Sequence, residues 1–201
     1  MLEELTQAEA AVADCLDAPT WALPEHGLVA ALDAAHRLEQ RLAAVKLALV
    51  RELDGRGTGT AQGASSTAVW LRDRLRLSVS AARRLVDLAT TLDAGAPGVR
   101  AALASGDISV EQARVIGDTV STVHTAAGAE AAEKAVGVLV AWAGQFEPTL
   151  LRKLGTRILP PNSLCRRTGA AREQINSRRA TWRRAVTGTA LRGASMSRRR
   201  L

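Results

Sequence analysis

Residues Thr67 to Leu92 read TAVWLRDRLRLSVSAARRLVDLATTL. The apolar positions recur at spacings of three and four, as an amphipathic helix requires, and they do so on both sides of a short interruption. The spacing predicts a helix from Ser66 to about Leu75, a break at Arg76 to Ser78, and a second helix to Leu92. Two helices joined by a three-residue turn have the spacing of a helix-turn-helix. Val69, Trp70 and Leu77, with Ala82, Leu85, Val86 and Ala89, are expected to seal the two helices against each other and the body. Ser80, Arg83, Arg84 and Asp87 then fall on the other face of the second helix, and Ser78 stands where an N-cap belongs.

The same periodicity fills the flanks. Prolines sit at 19, 24, 97, 148, 160 and 161, leaving long stretches free of helix breakers. A short helix is expected over Leu2 to about Asp17. A long one follows from about Glu25 to Leu53, with Leu28, Leu32, Ala35, Leu38, Leu42, Val45 and Leu49 as its single apolar stripe and Arg37, Glu39, Gln40, Lys46 and Arg51 on its polar face. Partner helices should therefore cover one side. DGRGTGTAQG, Asp54 to Gly63, has four glycines and reads as a loop. It lacks the preceding strand and the Lys beside Ser or Thr that a phosphate-binding loop needs. Asp93 to Gly98 turns the chain, with Pro97 placed for a first helical turn. Ser109 and Gln112 match a capping box opening a helix to about Val123. Ala126 to Gln145 forms a further helix, with Val136, Leu139, Val140 and Trp142 inward, and Pro148 opens a last one ending at Pro160.

Zero Tyr, one Phe and four Trp leave Ala, Leu and Val to build the core, which suits closely packed helices better than a sheet. The fold expected is all-α, a multi-helix bundle containing the helix-turn-helix-like pair and ending in a disordered basic tail. Its parts are an N-terminal helix and linker at 1–24, a helical domain at 25–160 and the tail at 161–201.

The formal net charge of +7 is uneven. Residues 161–201 hold 11 Arg against Glu173, so the first 160 residues sum to −3. Within those, Trp70 to Val86 carries Arg72, Arg74, Arg76, Arg83 and Arg84 against Asp73. A positive island on an acidic body is what phosphate attraction needs. The residues expected to meet nucleic acid are Arg72, Arg74, Arg76, Ser78, Ser80, Arg83 and Arg84. The competing reading makes these arginines a solvated face with local pairs such as Arg83 with Asp87. Arg outnumbers Lys 24 to 3, the mark of a GC-rich coding sequence, which weakens any inference from Arg alone.

Cys15 and Cys165 lie far apart with no CxxC spacing, so neither disulfide framework nor zinc cluster is read from them. No cofactor or metal is expected. Met1 precedes Leu2, Glu3 and Glu4 rather than a basic segment, and the apolar run from Ala135 to Gly144 is far short of a membrane span. The expected setting is cytoplasmic, with no membrane partner.

The segment VRAALASGDISVEQARVIGDTV, Val99 to Val120, resembles the stretch after the helix-turn-helix in partition proteins of the ParB type, which implies a helical DNA-binding core. Over a longer stretch, about Leu38 to Ile158, the chain resembles the actinobacterial domain of unknown function 222. ELDGRG (Glu52 to Gly57), GASSTAVWLRDRLRLS (Gly63 to Ser78), ARRLVDLA (Ala82 to Ala89) and ALASGDISVEQARVI (Ala102 to Ile116) carry the resemblance. It implies a helical domain found beside HNH endonuclease modules and in mobile-element proteins. The His, Asn and paired CxxC residues of such a module are missing, and His26, His36 and His124 all lie upstream, so no enzyme activity is expected.

Residues 161–201 contain only five residues from Leu, Ile, Val and Phe and cannot support a core. They read either as a basic arm for nucleic acid or as an out-of-frame product of a GC-rich gene. The second is preferred, because the family resemblance stops abruptly there and the composition beyond it has one acid and no apolar periodicity. The function expected is a DNA-binding helical domain, with double-stranded DNA as partner and self-association through the long helix 25–53. The alternatives are a protein-interaction or oligomerisation module with no nucleic-acid role, and a nuclease subunit whose active site lies on another chain.

Overall fold

A computed structural model of the chain describes residues 1–158. The expectations for the tail at 161–201 lie outside them. Among the described residues the fold is all-α, with no strand. The helices are α1 (Leu2–Leu16), α2 (Glu25–Gly55), α3 (Thr58–Ala61), α4 (Thr67–Leu75), α5 (Val79–Gly95), α6 (Pro97–Ser105), α7 (Val110–Ala127), α8 (Ala129–Ala143) and α9 (Pro148–Ile158), with a 3-10 turn at Thr20–Ala22.

Side-chain caps set several boundaries. Ser66 Oγ accepts the Val69 N–H at the start of α4, and Ser78 Oγ accepts that of Ala81 at the start of α5. Ser109 and Gln112 form the expected capping box. Gln112 does more: its Nε2 donates to the carbonyls of Ala143 at 2.7 Å and Phe146 at 3.0 Å, tying the end of α8 to the start of α7. The Glu147 carboxylate accepts the N–H groups of Thr149 and Leu150 at the head of α9, which lowers its pKa.

α7 is the axis of the body. It packs on α5, α6, α8 and α9, burying Ala113, Val115, Ile116, Val120 and Val123. Approach is close where side chains are small: a Cβ at Gly155 of α9 would lie 2.8 Å from Thr119 Oγ1. Leu88 and Leu92 of α5, Val99 and Leu103 of α6, Leu139 of α8 and Leu151 of α9 complete one core.

The structure departs from the sequence reading in four places. Asp54 to Gly63 is not all loop, because Gly57 in the left-handed region (φ 64°) lets the chain restart as α3. Residues Asp93 to Gly95 stay helical, leaving Ala96 as the junction between α5 and α6. In α4 the side chain buried most deeply is Leu71, at 2% exposure, while Trp70 is half-buried and gives its indole N–H to Gln62 Oε1.

The largest correction concerns α2. Its leucine stripe does not face the body: Leu28, Leu32, Leu38, Leu42 and Leu49 are exposed. The body covers Leu47, Val50 and Gln40, the last placed on the polar face by periodicity and only 3% exposed. Gln40 is admitted because its Oε1 accepts the Val110 N–H at 2.9 Å, one of the orphan donors at the head of α7. Beside it, Arg41 Nε donates to the Ser105 carbonyl at the end of α6. Ahead of Gln40, α2 buries nothing, and α1 buries nothing along its whole length.

Candidate nucleic-acid interface

The corner between α4 and α5 follows from local backbone chemistry. Arg76 ends α4 at φ 53°, ψ 41°, and both its own N–H and that of Leu77 return to the Arg72 carbonyl. This closure suits Gly, the residue free of the Cβ clash that costs other residues roughly 1–2 kcal/mol in the left-handed region. Among the described residues Arg76 is the one non-glycine with positive φ. Ser78 then turns extended (φ −66°, ψ 153°) and caps α5, its Oγ 3.2 Å from Ser80 Oγ.

The predicted residues do not form one face. Arg72 grips Asp73 through Nε–Oδ1 at 2.7 Å and Nη2–Oδ2 at 2.9 Å. That hydrogen bonding holds the Asp73 carboxyl below its ordinary pKa and raises that of Arg72, so the two charges cancel locally. Arg74 lies over the Trp70 ring, 5.3 Å from its centroid. Two residues apart on a helix, Arg72 and Arg74 project about 200° from each other.

Arg83 and Arg84, in the first turns of α5, are exposed, and among the described residues neither pairs with a carboxylate. The local pair of Arg83 with Asp87 is not formed. Arg76, at the turn, is likewise exposed and unpaired. A further cation joins them that the sequence reading missed: Arg114 of α7 donates from Nη2 to the Arg84 carbonyl at 3.2 Å. Thirty residues separate the two, so only the packing of α5 on α7 brings them together. The α4–α5 turn and the first turns of α5 thus expose Arg76, Arg83 and Arg84 with the hydroxyls of Ser78 and Ser80, while Arg84 and Arg114 share a surface pocket with Asp87 and Asp118.

Elsewhere, Asp93 lies between Arg51 at 2.9 Å and Arg100 at 3.4 Å, beside a cavity of about 190 Å³ between α2, α5 and α6. Among the described residues no three of His, Cys, Asp and Glu gather closely enough to hold a metal ion. None of the described helices is long and apolar enough to cross a membrane.

A family model described as Domain of unknown function (DUF222) matches residues 29–200, most of the chain. The match runs past Ile158, where the resembling stretch ends, so the case for an out-of-frame tail loses the abrupt stop that was one of its two grounds. No curated protein and no solved structure matches the chain.

Proposed function

The chain belongs to the family of the domain of unknown function 222, and on that footing we propose that α4 and α5 act as a helix-turn-helix that docks on double-stranded DNA. The protein would serve beside an HNH nuclease or within a mobile-element system, without a catalytic module of its own. The observation that carries this reading is the pair of exposed cations in the first turns of α5, Arg83 and Arg84, which form no ion pair among the described residues and follow an Arg76 held in a conformation that favours glycine. An arginine at a costly backbone position is accounted for if its guanidinium meets a phosphate.

Duplex DNA is preferred over RNA on geometry. The first turns of a recognition helix fit the major groove of B-form DNA, whereas the deep, narrow major groove of A-form RNA excludes them. The N–H groups at the head of α5 add a favourable site for a phosphate.

The test uses the protein ending at Leu159, because the eleven tail arginines bind any polyanion. The described residues form a buried core among themselves, so this shorter chain is expected to keep the fold. Binding to a duplex is titrated by anisotropy at several salt concentrations. Replacing Arg83 and Arg84 with Ala should leave the helical signal intact and lower the magnitude of the salt slope by about two. Asp73→Asn, which frees Arg72, should move affinity the other way. Absence of salt-dependent affinity, or a double variant that binds as well as the parent, would replace this reading with the interaction-module one.

A further inference from the structure

We propose that the cavity between α2, α5 and α6 binds a small monocarboxylate whose body is a single ring or a short branched chain. Its volume is about 190 Å³. The floor is made by Leu47 of α2, Leu92 of α5 and Leu103 of α6, each 4% exposed or less. Ala48 and Ala89 line it as well, and their single methyl groups leave the space between the helices unfilled. Water gains little there, because a water molecule needs roughly two to four polar partners and leucine and alanine side chains offer none. An apolar body of matching size displaces that water and recovers the missing contacts. For scale, an apolar cavity of about 150 Å³ accepts benzene.

The polar side of the cavity sets the charge of the ligand. Arg51, Glu52, Asp93 and Arg100 all line it. Glu52 is taken up by Arg56, whose Nε lies 2.6 Å from its Oε1. Asp93 is then the one lining carboxylate left for two guanidiniums: Arg51 Nε donates to its Oδ2 at 2.9 Å and Arg100 Nη1 to its Oδ1 at 3.4 Å. Among the described residues the other N–H groups of these two arginines have no acceptor, and one of their two positive charges is left over. A ligand carboxylate meets both needs, since its paired oxygens match the planar donors of a guanidinium. Arg51, Asp93 and Arg100 come from the same three helices as the leucines of the floor, so one packing arrangement brings charge and apolar surface together.

Inorganic phosphate, or the phosphate of a nucleic acid, would satisfy the arginines and leave the leucine floor wet. A neutral hydrocarbon would cover the floor and leave the charge unmet. A carboxylate with an apolar body uses the whole site. Asp93 stands near the end of α5, far along that helix from Arg83 and Arg84, so the inference is independent of the DNA reading.

The experiment uses the full chain without DNA. Benzoate is titrated at neutral pH and followed by amide chemical shifts and by the melting temperature. At millimolar benzoate, saturable shifts are expected at Ala48, Ala89 and Leu103, with a rise in melting temperature. Benzyl alcohol keeps the ring without the charge and acetate keeps the charge without the ring, so each should bind at least about tenfold more weakly. Arg100→Gln should weaken benzoate by about tenfold, whereas Asp93→Asn, which removes the competing carboxylate, should tighten it several-fold. Ala48→Leu keeps the charge and a good helix former while filling the space, and should abolish binding. Circular dichroism of each variant checks that the helices persist. Four results would overturn the proposal: no saturable shift at these residues, acetate or inorganic phosphate binding as tightly as benzoate, an Asp93→Asn variant that binds benzoate more weakly than the parent while remaining folded, or an Ala48→Leu variant that binds as the parent does. Equal binding of phosphate would make the two arginines a simple anion patch, open to a nucleic-acid backbone.

Discussion

Arg76 sets stability against binding at a single position. Its left-handed backbone is strained for any residue with a Cβ, and its guanidinium is exposed without a carboxylate partner. Arg76→Gly relieves the strain at some cost in unfolded-state entropy, so stability should rise, by no more than about 1 kcal/mol. If the corner meets DNA, the same change should weaken binding and lower the magnitude of the salt slope by about one. Thermal melts and salt titrations of one variant thus read the two effects separately. A variant that gains stability and keeps its full affinity would remove Arg76 from the interface. Residues whose chemistry is local were legible in the sequence: Ser78 and Ser109 cap helices three residues ahead of their partners, within the span a motif covers. Gln40 and Arg114 were not, because their partners lie 70 and 30 residues away.

Among the elements, α7 and α8 show how one side chain can join two helices. Ser109→Ala removes one cap bond and should cost about 1 kcal/mol. Gln112→Ala removes the return bond to the Ser109 N–H and both bonds to the Ala143 and Phe146 carbonyls. It should cost more, about 2–3 kcal/mol, because three bonds are lost and partly buried acceptors are left unmet. In a chain of this size, 1 kcal/mol moves the melting temperature by roughly 2–4 °C, so melts can order the two variants. Equal losses would mean that Gln112 acts only as half of a capping box. The long helix α2 shows why periodicity finds an element more readily than its buried face. The stripe of leucines is the stronger apolar signal, but Ala44, Leu47 and Val50 give a second, smaller-residue face on which α5 and α6 can pack closely. A helix with two apolar faces leaves its inward side undetermined until its neighbours are known.

Taken whole, the molecule is polarised along its sequence. Residues 1–39 carry net −7, residues 40–160 carry +4 and residues 161–201 carry +10. Composition and family membership give different expectations for the last segment. The family match includes it, as though it belonged to the domain, while its few apolar residues offer little to bury. The packing of α9 decides which expectation prevails for stability. Leu151 is fully buried and Gly155 sits against Thr119, so α9 closes the core with residues that precede Leu159. Ending the chain at Leu159 should therefore shift the melting temperature by less than about 2 °C, equivalent to no more than about 1 kcal/mol. The same cut changes the net charge from +7 to −3, so it should sharply reduce affinity for any polyanion at low salt. What binding survives is then the contribution of the α4–α5 corner, and it should retain its dependence on Arg83 and Arg84. A cooperative loss of about 10 °C or more on truncation would instead assign residues 161–201 to the packed domain, in keeping with the reach of the family match and against the reading of them as a coreless basic arm.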